Sequence, residues 1–316
     1  MKRIGVLGSM VWDTIYGRDP AQPATEEWGG IAYALAALDA TLTDDWRIVP
    51  LVKVGRDLAP KANAFLQTLR HPAPGTRFVE VPDANNRVTL RYYSAERRCE
   101  QLRGGVPPWT WPELGPQLAD LDALYVNFIS GFELMLETAR LLRRGFDRFL
   151  YADLHSLFLG TAEDGTRYLQ PPLQALEWLA CFDTVQLNEE EMAQLGGDPL
   201  AVAASALARG CTTVCVTLGP RGAVYFTQAP ESQTPRTSRP VRTARIAAPA
   251  EEGSSVDAGD PTGCGDVFGA TVTASLLQGA DLETAMRAGC RMAARNVTHR
   301  GATGLRDHLL GRHTAV

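Results

Sequence analysis

Lysine is scarce in this sequence. Among 31 lysines and arginines, only Lys2, Lys53 and Lys61 are lysines. No Gly-x-x-x-x-Gly-Lys-Ser/Thr segment occurs, which excludes a P-loop phosphate site. A Schiff-base enzyme needs a lysine on a strand, and only Lys53 lies in a strand-like segment, so we disfavour that class. The first predicted strand also lacks the three-glycine fingerprint of a dinucleotide-binding dehydrogenase.

Other absences concern location and partners. No stretch approaches the roughly 18 uncharged apolar residues of a membrane span, and the first apolar run is too short for a signal peptide. The six cysteines form no Cys-x-x-Cys pair, which argues against a zinc site. A net charge of −5 excludes a broadly basic nucleic-acid binder. We therefore expect a cytoplasmic protein without membrane or nucleic-acid partners.

Strand-like and helix-like segments alternate along the 316 residues. We predict strands at 4–7, 47–54, 123–128, 149–153, 184–187 and 213–218, and helices at 30–38, 58–69, 133–144, 189–195 and 200–209. This order favours an α/β fold with a mostly parallel central sheet and helices on both faces. Two short strands at 77–93 and a helix-free segment at 223–247 make a complete (β/α)₈ barrel the weaker architecture. We expect the polar loop 228–240 to be mobile.

The strongest functional signal lies in residues 257–270, Asp-Ala-Gly-Asp-Pro-Thr-Gly-Cys-Gly-Asp-Val-Phe-Gly-Ala. The N–H groups of Gly263, Cys264 and Gly265 can converge at the N-terminus of the helix that follows, where an anion is favoured. The carboxylate of Asp266 is placed to take a proton from an attacking hydroxyl. A base beside an anion site suits phosphoryl transfer, although a capped helix after a Gly-rich turn has the same composition.

Residues 260–266 resemble the second signature of the PfkB, or ribokinase-like, family of sugar and nucleoside kinases. The resemblance implies that Asp266 is the catalytic base and that Gly263, Cys264 and Gly265 form the anion hole. Six motif regions follow the family order from Gly5 to about Gly304. The resemblance also implies one ribokinase-like domain over residues 1–316, with a small β-sheet lid formed from segments near 11–27 and 77–105.

Two segments near the amino terminus resemble the family's substrate-binding segments. The resemblance implies that Asp13 binds two substrate hydroxyls, and a carboxylate is suited to accept from both members of a diol. It also places Gly29 and Gly30 at the start of a helix beside the substrate. Ala34 stands where sugar kinases often have Asn, which weakens an assignment to ribokinase itself. Asp57 matches a further family position, where a helix cap and a substrate contact are equal alternatives.

Donor-binding motifs follow later in the chain. Asn188 and Glu191 resemble the family's Asn-x-x-Glu motif, which implies a nucleotide contact for Asn188 and a magnesium role for Glu191. A local capping pair accounts for the same two residues. A second motif consists of Thr217, Gly219 and Gly222. It resembles the family's nucleotide turn, and a plain hairpin turn is the alternative. Asn296 falls near the family's adenine pocket.

The resulting hypothesis is an ATP-dependent kinase that phosphorylates a hydroxyl of a small sugar or nucleoside. The resemblance implies ATP and Mg²⁺ as cofactors, admits a monovalent cation such as K⁺, and suggests a homodimer through the lid. The alternative is a catalytically silent family member that senses a ligand. Arg87 and Arg91 suit a phosphate on the substrate, but such residues more often form a solvated strand face, which is the favoured interpretation. Residues 260–266 resemble the corresponding segment of bacterial adenosine-kinase-type members, which favours nucleosides and leaves the substrate open.

Overall fold

The computed structural model describes residues 1–17, 19, 21, 23–93, 98–228, 239–249 and 260–312. The strands of this part are β1 (Lys2–Tyr16), β2 (Thr25–Gly30), β3 (Trp46–Gly55), β4 (Val79–Val81), β5 (Arg87–Tyr92), β6 (Arg98–Arg103), β7 (Ala123–Asn127), β8 (Phe149–Asp153), β9 (Leu159–Thr161), β10 (Arg167–Leu169), β11 (Thr184–Asn188), β12 (Thr213–Thr217), β13 (Ala223–Gln228) and β14 (Val241–Ile246). Its α-helices are α1 (Ile31–Thr41), α2 (Ala59–Leu66), α3 (Trp111–Leu114), α4 (Leu136–Gly145), α5 (Ala175–Ala180), α6 (Glu189–Leu195), α7 (Pro199–Ala208), α8 (Cys264–Leu277), α9 (Leu282–Asn296) and α10 (Leu305–Leu309). The predicted mobile loop 228–240 and residues 257–259 of the Gly-rich segment lie largely outside the described residues.

The central sheet runs in the order β14-β13-β12-β11-β8-β7-β1-β3-β4. Its strands from β12 through β4 pair in parallel, while β13 and β14 add antiparallel strands at one edge. Every residue of β7 is buried, as expected for a parallel strand that is covered on both faces. The carboxyl ends of β7, β8, β11 and β12 meet along one edge of the sheet, where open α/β sheets bind ligands.

Helices cover both faces of this sheet. One apolar cluster joins the sheet to α1, α2, α8, α9 and α10, and another joins it to α3, α4, α5, α6 and α7. The alanine-rich α1 is buried on all sides from Ile31 to Asp39, which matches its lack of a polar face. Because both faces are packed, the strand ends that carry polar side chains are held in fixed positions.

Strand β1 also belongs to a second, smaller sheet. Its residues 2–9 pair with β3, whereas residues 10–16 leave the central sheet and pair with β2 and β5, and β6 extends β5. We call residues 10–16 of β1 together with β2, β5 and β6 the side sheet. The buried amide of Asn85 marks the point of departure, since it donates to the Met10 carbonyl at 2.9 Å.

The predicted fold class is confirmed: a mostly parallel sheet with helices on both faces and a small antiparallel sheet, β9 with β10. The two strands predicted at 77–93 are present, but they pair in parallel with β3 and β1 and not with each other. Strand β6 was not predicted, because its sequence Arg-Cys-Glu-Gln-Leu-Arg has no apolar alternation. The single-domain assignment and the action of the side sheet as a lid stay predictions.

Candidate active site

A cavity of about 230 Å³ lies where the side sheet meets the carboxyl ends of the central strands. It brings together motifs that are far apart in sequence. The predicted site residues that line it are Asp13, Gly30, Asn188, Glu191, Thr217, Gly263, Gly265 and Asp266. The carboxylates of Asp13 and Asp266 and the N-terminal loop of α8 therefore face one common volume.

The Gly-rich loop delivers the N-terminus of α8 to the cavity. Gly263 has φ of +78°, a left-handed conformation that favours glycine, and a Cβ here would overlap the ring of Tyr33. Among the described residues, none accepts a hydrogen bond from the N–H of Gly263 or Gly265. The N–H of Cys264 lies 3.2 Å from the Pro261 carbonyl and closes the turn. Two of the three predicted anion-hole N–H groups are therefore unoccupied.

Burial raises the pKa of the Cys264 thiol to about 11, so the thiol is neutral at ordinary pH. A thiolate beside the anion site would repel phosphate, whereas a neutral thiol does not. Behind this loop, the fully buried Asn296 donates through its side-chain amide to the Thr262 carbonyl at 2.8 Å and to the Cys264 sulfur at 3.3 Å. Asn296 thus holds the loop from inside and does not line the cavity, so the predicted adenine contact gains no support from this geometry.

Asp266 lies in the first turn of α8, and a residue at the end of a central strand orients its carboxylate. Asn127, at the end of β7, donates from Nδ2 to Asp266 Oδ1 at 2.6 Å. Asn127 is completely buried, so its own position is fixed by the core. The result is a carboxylate with one oxygen held by an amide, in a position open to the cavity.

A second carboxylate, Asp153 at the end of β8, lies close to the first. Burial raises the pKa of Asp153 to about 8, with the charge of Asp266 as the second cause. Gln186 on β11 donates from Nε2 to Asp153 Oδ2 at 2.8 Å and to the Gly265 carbonyl at 3.0 Å, so one amide ties the strand ends to the Gly-rich loop. Among the described residues that line the cavity, no lysine or arginine is present to offset the carboxyl groups at this end.

Asn188 and Glu191 form the reciprocal capping pair that local chemistry predicts. The Glu191 N–H donates to Asn188 Oδ1 at 2.8 Å, and the Asn188 N–H donates to Glu191 Oε2 at 2.8 Å. The other carboxylate oxygen of Glu191 accepts from the Asn188 amide at 2.6 Å and shares a hydrogen bond with His155 Nδ1. Both residues also line the cavity, so capping and ligand contact are compatible at this strand end.

The opposite end of the cavity holds the buried carboxylate of Asp13 on β1. Asp13 pairs in register with Glu27 of β2, which puts Gly29 beside its side chain. A Cβ at Gly29 would overlap the Asp13 carboxylate, so glycine is required for the carboxylate to occupy this position. The buried Tyr33 hydroxyl lies among the carboxyl groups of the site, and burial, followed by the charge of Asp13, raises the pKa of Tyr33.

The predicted nucleotide turn lies at the far side of Asn188. Thr217 lines the cavity, while Gly219 and Gly222 follow in the turn that leads from β12 to β13 and do not line it. Gly222 has φ of +93° and packs tightly against the carbonyl of Ile246, which accounts for glycine there without a ligand. The nucleotide roles of Gly219 and Gly222 stay predictions.

Several polar residues from the sequence analysis have structural partners instead. Asp57 accepts from the Asn85 N–H at 2.9 Å and from Arg87 at 2.8 Å; it does not line the cavity, and no side chain caps the N-terminus of α2. Arg91 stacks on the ring of Tyr16. Lys53 is buried and pairs with Glu113 at 3.0 Å, which argues against the Schiff-base role considered for this lysine.

Comparisons with known proteins agree with this arrangement. Residues 164–308 match the family model described as pfkB family carbohydrate kinase, and no curated protein matches the chain. A pyrophosphate-dependent kinase in the ribokinase family, solved with sulfate, is 16% identical with a TM-score of 0.75, with 99% of each chain covered. Ribokinase from Thermotoga maritima is 17% identical with a TM-score of 0.71, again over 99% of each chain. The Burkholderia thailandensis nucleoside kinase bound to inosine is 17% identical with a TM-score of 0.72, covering 98% of this chain and 97% of that one.

The architecture is therefore that of the ribokinase-type α/β kinases. The family-model match covers residues 164–308, the second part of the chain, and the likeness to PfkB carbohydrate kinases in sequence extends over that part. Among the described residues, no helix is long and apolar enough to cross a membrane.

The sequence analysis missed Asn127, Asp153, Gln186 and Glu100, which all lie in or against this cavity. The first two end predicted strands, and polar residues at the carboxyl end of parallel strands are a recognisable signal. Gln186 lies inside a predicted strand, and Glu100 belongs to a strand that was not predicted. Their roles depend on strand order and register, which the local sequence does not contain.

Proposed function

We propose that this protein transfers the γ-phosphoryl group of ATP to a hydroxyl of a small sugar or nucleoside. The observation that carries the proposal is the cavity itself. Asp266, the N–H groups of Gly263 and Gly265, and the carboxylate of Asp13 all line it, although they come from opposite ends of the chain. A base, an anion site and an acceptor site are the groups that phosphoryl transfer needs.

Asp13 accepts hydrogen bonds from two hydroxyls of the acceptor and so fixes its orientation. Asp266 takes the proton from the attacking hydroxyl, and Asn127 holds the carboxylate in place for that transfer. The hydroxyl oxygen then forms a bond to the γ-phosphorus as the bond to the leaving diphosphate breaks. The N–H groups of Gly263 and Gly265, with the helix dipole of α8, stabilise the negative charge on the moving phosphoryl oxygens.

The residues at this end of the cavity fit a magnesium–phosphate complex. Glu191 and Asp266 bring negative charge to this region, where the raised pKa of Asp153, about 8, leaves that carboxyl group protonated at neutral pH. The described residues contain no three-residue cluster that would hold a metal ion directly. Magnesium keeps several waters and binds through donor phosphates in such sites, where it neutralises phosphate charge. Because both Glu191 oxygens accept hydrogen bonds, Glu191 acts on the ion through water. Any use of K⁺ stays a prediction.

Pyrophosphate is the second candidate donor, because one structurally similar kinase is described as pyrophosphate-dependent. ATP is favoured by Thr217, which lines the cavity beside Asn188 at the start of the predicted nucleotide turn. We also propose that the protein acts in the cytoplasm and forms a homodimer through the side sheet. Gel filtration combined with light scattering tests the dimer.

A screen with purified protein tests the function. Acceptors comprising nucleosides, pentoses, hexoses and sugar phosphates are incubated with Mg²⁺ and either ATP or pyrophosphate, and phosphorylated products are identified by mass spectrometry. We expect a phosphate monoester of at least one neutral acceptor, formed from ATP. Tight binding of ATP and an acceptor without any product would support the silent sensor instead.

A further inference from the structure

The acceptor end of the cavity is negative. Of the described residues that line the cavity, five carry carboxyl groups, none is lysine or arginine, and His155 is the one side chain with a titratable cation. At the acceptor end the carboxyl groups are Asp13 and Glu100. A carboxylate accepts hydrogen bonds and donates none. This end therefore suits a group that brings hydrogen-bond donors and disfavours one that brings a second phosphate or a carboxylate.

The arginines that suit a substrate phosphate face away from this end. Along β5, Val88 and Leu90 are buried and line the cavity, while Arg87 and Arg91 are exposed. Side chains alternate between the two faces of a strand, so the arginines are on the outer face. Arg87 pairs with Asp57 there, and Arg91 stacks on Tyr16. The phosphate interpretation of these two arginines is therefore wrong for the described conformation.

Glu100 forms an ion pair with an arginine that is buried behind the cavity wall. Its Oε1 lies 3.7 Å from Nη1 of Arg167, whose side chain is only 1% exposed. Arg167 also donates to the carbonyls of Ile129 at 3.4 Å and Ser156 at 3.3 Å. No described residue donates a hydrogen bond to the Glu100 carboxylate, which therefore keeps acceptor capacity toward the cavity.

The register of the side sheet sets the separation of the two backbone positions that carry Asp13 and Glu100. Asp13 is opposite Val88, and Glu100 is opposite Leu90, two residues further along β5 and one strand further out. Standard strand spacings place their Cα atoms about 12 Å apart. Two linked ring systems can span this separation, with one ring at each carboxylate.

The surface between the carboxylates is apolar. Val11, Val88 and Leu90 of the side sheet and Ile129 after β7 line the cavity there. Such a surface favours a flat, weakly polar ring over a second hydroxylated ring, because a hydroxyl placed against it would lose its hydrogen bonds to water.

We infer that the acceptor is an unphosphorylated nucleoside, and that Glu100 determines specificity by accepting a hydrogen bond from an N–H group of the base. The sugar hydroxyls bind to Asp13, the base packs on Val11, Val88 and Leu90, and Glu100 contacts the far edge of the base. This assignment rests on the proposed phosphotransferase function and narrows its substrate.

Matched acceptors test the inference without altering the protein. Inosine carries one base N–H, 1-methylinosine replaces it with N–CH₃, and purine riboside lacks it. Ribose and ribose 5-phosphate test the need for a base and the exclusion of phosphate. We expect kcat/KM for inosine to exceed that for purine riboside and for ribose by at least about tenfold, because a site built to accept an N–H rejects analogues without it.

Variants assign the discrimination to Glu100. E100L removes the acceptor oxygens, and E100Q keeps an acceptor oxygen and the side-chain volume beside Arg167. We expect E100L to reduce the inosine to purine riboside ratio to near one, with a smaller reduction for E100Q. The matched control is Q101A, because Gln101 lies on the opposite face of β6 beside Thr166, and its ratio should match wild type.

The outcomes separate the two proposals. If ribose or ribose 5-phosphate is the best acceptor, or if purine riboside equals inosine, the nucleoside inference is wrong while the kinase function stands. If E100L keeps the wild-type ratio, Glu100 is not the specificity residue. If no acceptor is phosphorylated from ATP or pyrophosphate, the proposed function itself fails, and the inference fails with it.

Discussion

The two ends of the cavity are built in different ways. At the reaction end, side chains from four strand ends and the α8 loop hold one another, as in the contacts of Asn127 with Asp266 and of Gln186 with Asp153. At the acceptor end, the wall is an apolar strand surface with two carboxylates, and it belongs to the side sheet, which β1 joins when it leaves the central sheet after Ser9. A preorganised network suits a fixed chemical step, whereas a separate sheet allows acceptor specificity to change without disturbing that step.

The largest expected effect on activity comes from replacing Asp266, the proposed proton acceptor. We expect Asp266→Asn to lower kcat by about 10²–10⁴, the usual contribution of general-base catalysis, with donor affinity unchanged. Steady-state kinetics and calorimetric titration of the donor measure the two effects. Asp147→Asn is the control, because that side chain is fully exposed, at 100%. Wild-type kcat in D266N would remove Asp266 from the chemistry.

Removing the charge at the acceptor end should give a different signature. Asp13→Asn keeps the shape but weakens charged hydrogen bonds, so we expect KM for the acceptor to rise by roughly 10–100-fold. Donor affinity should not change. Acceptor KM and donor affinity measured on the same preparation check this contrast. An effect confined to the donor would assign Asp13 to the wrong end of the cavity.

Loss of the contact between the two ends should have a smaller effect on activity. Tyr92 of β5 shares a hydrogen bond of 2.6 Å with the hydroxyl of Thr262 in the Gly-rich loop. We expect Tyr92→Phe to lower kcat a few-fold and to raise hydrolysis of the donor by water, since the side sheet then covers the loop less tightly. Tyr93→Phe is the control, because Tyr93 is 70% exposed. Equal hydrolysis in both variants would contradict a coupling role for Tyr92.

The pH dependence of protein stability reports on the ionisation of Asp153 in the cavity. The pKa of Asp153 rises from 3.8 in the unfolded chain to about 8 in the folded protein. The folded protein thus keeps a proton that the unfolded chain has released, so this contribution to stability is present at low pH and is lost as pH rises through about 8. We expect Asp153→Asn to have a higher Tm than wild type at pH 8 and a similar Tm near pH 4. Thermal unfolding across this range measures the difference, and a pH-independent difference would contradict the assignment.

Local sequence was sufficient for the parts of the site that lie within one segment. The Gly-rich loop before Asp266, the capping pair of Asn188 and Glu191 and the glycines beside Asp13 are each readable from a few neighbouring residues. The α/β order of elements also follows from local apolar patterns, and most predicted elements were found within a few residues of their expected bounds.

Local sequence patterns could not predict the roles of residues whose orientation depends on strand register or helix packing. Glu100 faces the cavity because β6 pairs with β5 opposite Leu90, and a shift of one residue would turn it outward. Asn296 was expected near adenine, but the packing of α9 turns its amide into the Gly-rich loop. For Arg87 and Arg91, the sequence left both a phosphate contact and a solvated strand face open, and the pairing of β5 shows the solvated face.

Phosphorus NMR of the reaction mixture tests the central claim most directly. Wild-type protein with Mg²⁺, ATP and a nucleoside should convert the γ-phosphorus resonance into that of a phosphate monoester, with ADP formed in equal amount. Asp266→Asn should leave ATP intact under the same conditions. Unchanged ATP with wild-type protein across all acceptors, or ADP and inorganic phosphate without any phosphate monoester, would contradict the assignment of this cavity to phosphoryl transfer to an acceptor.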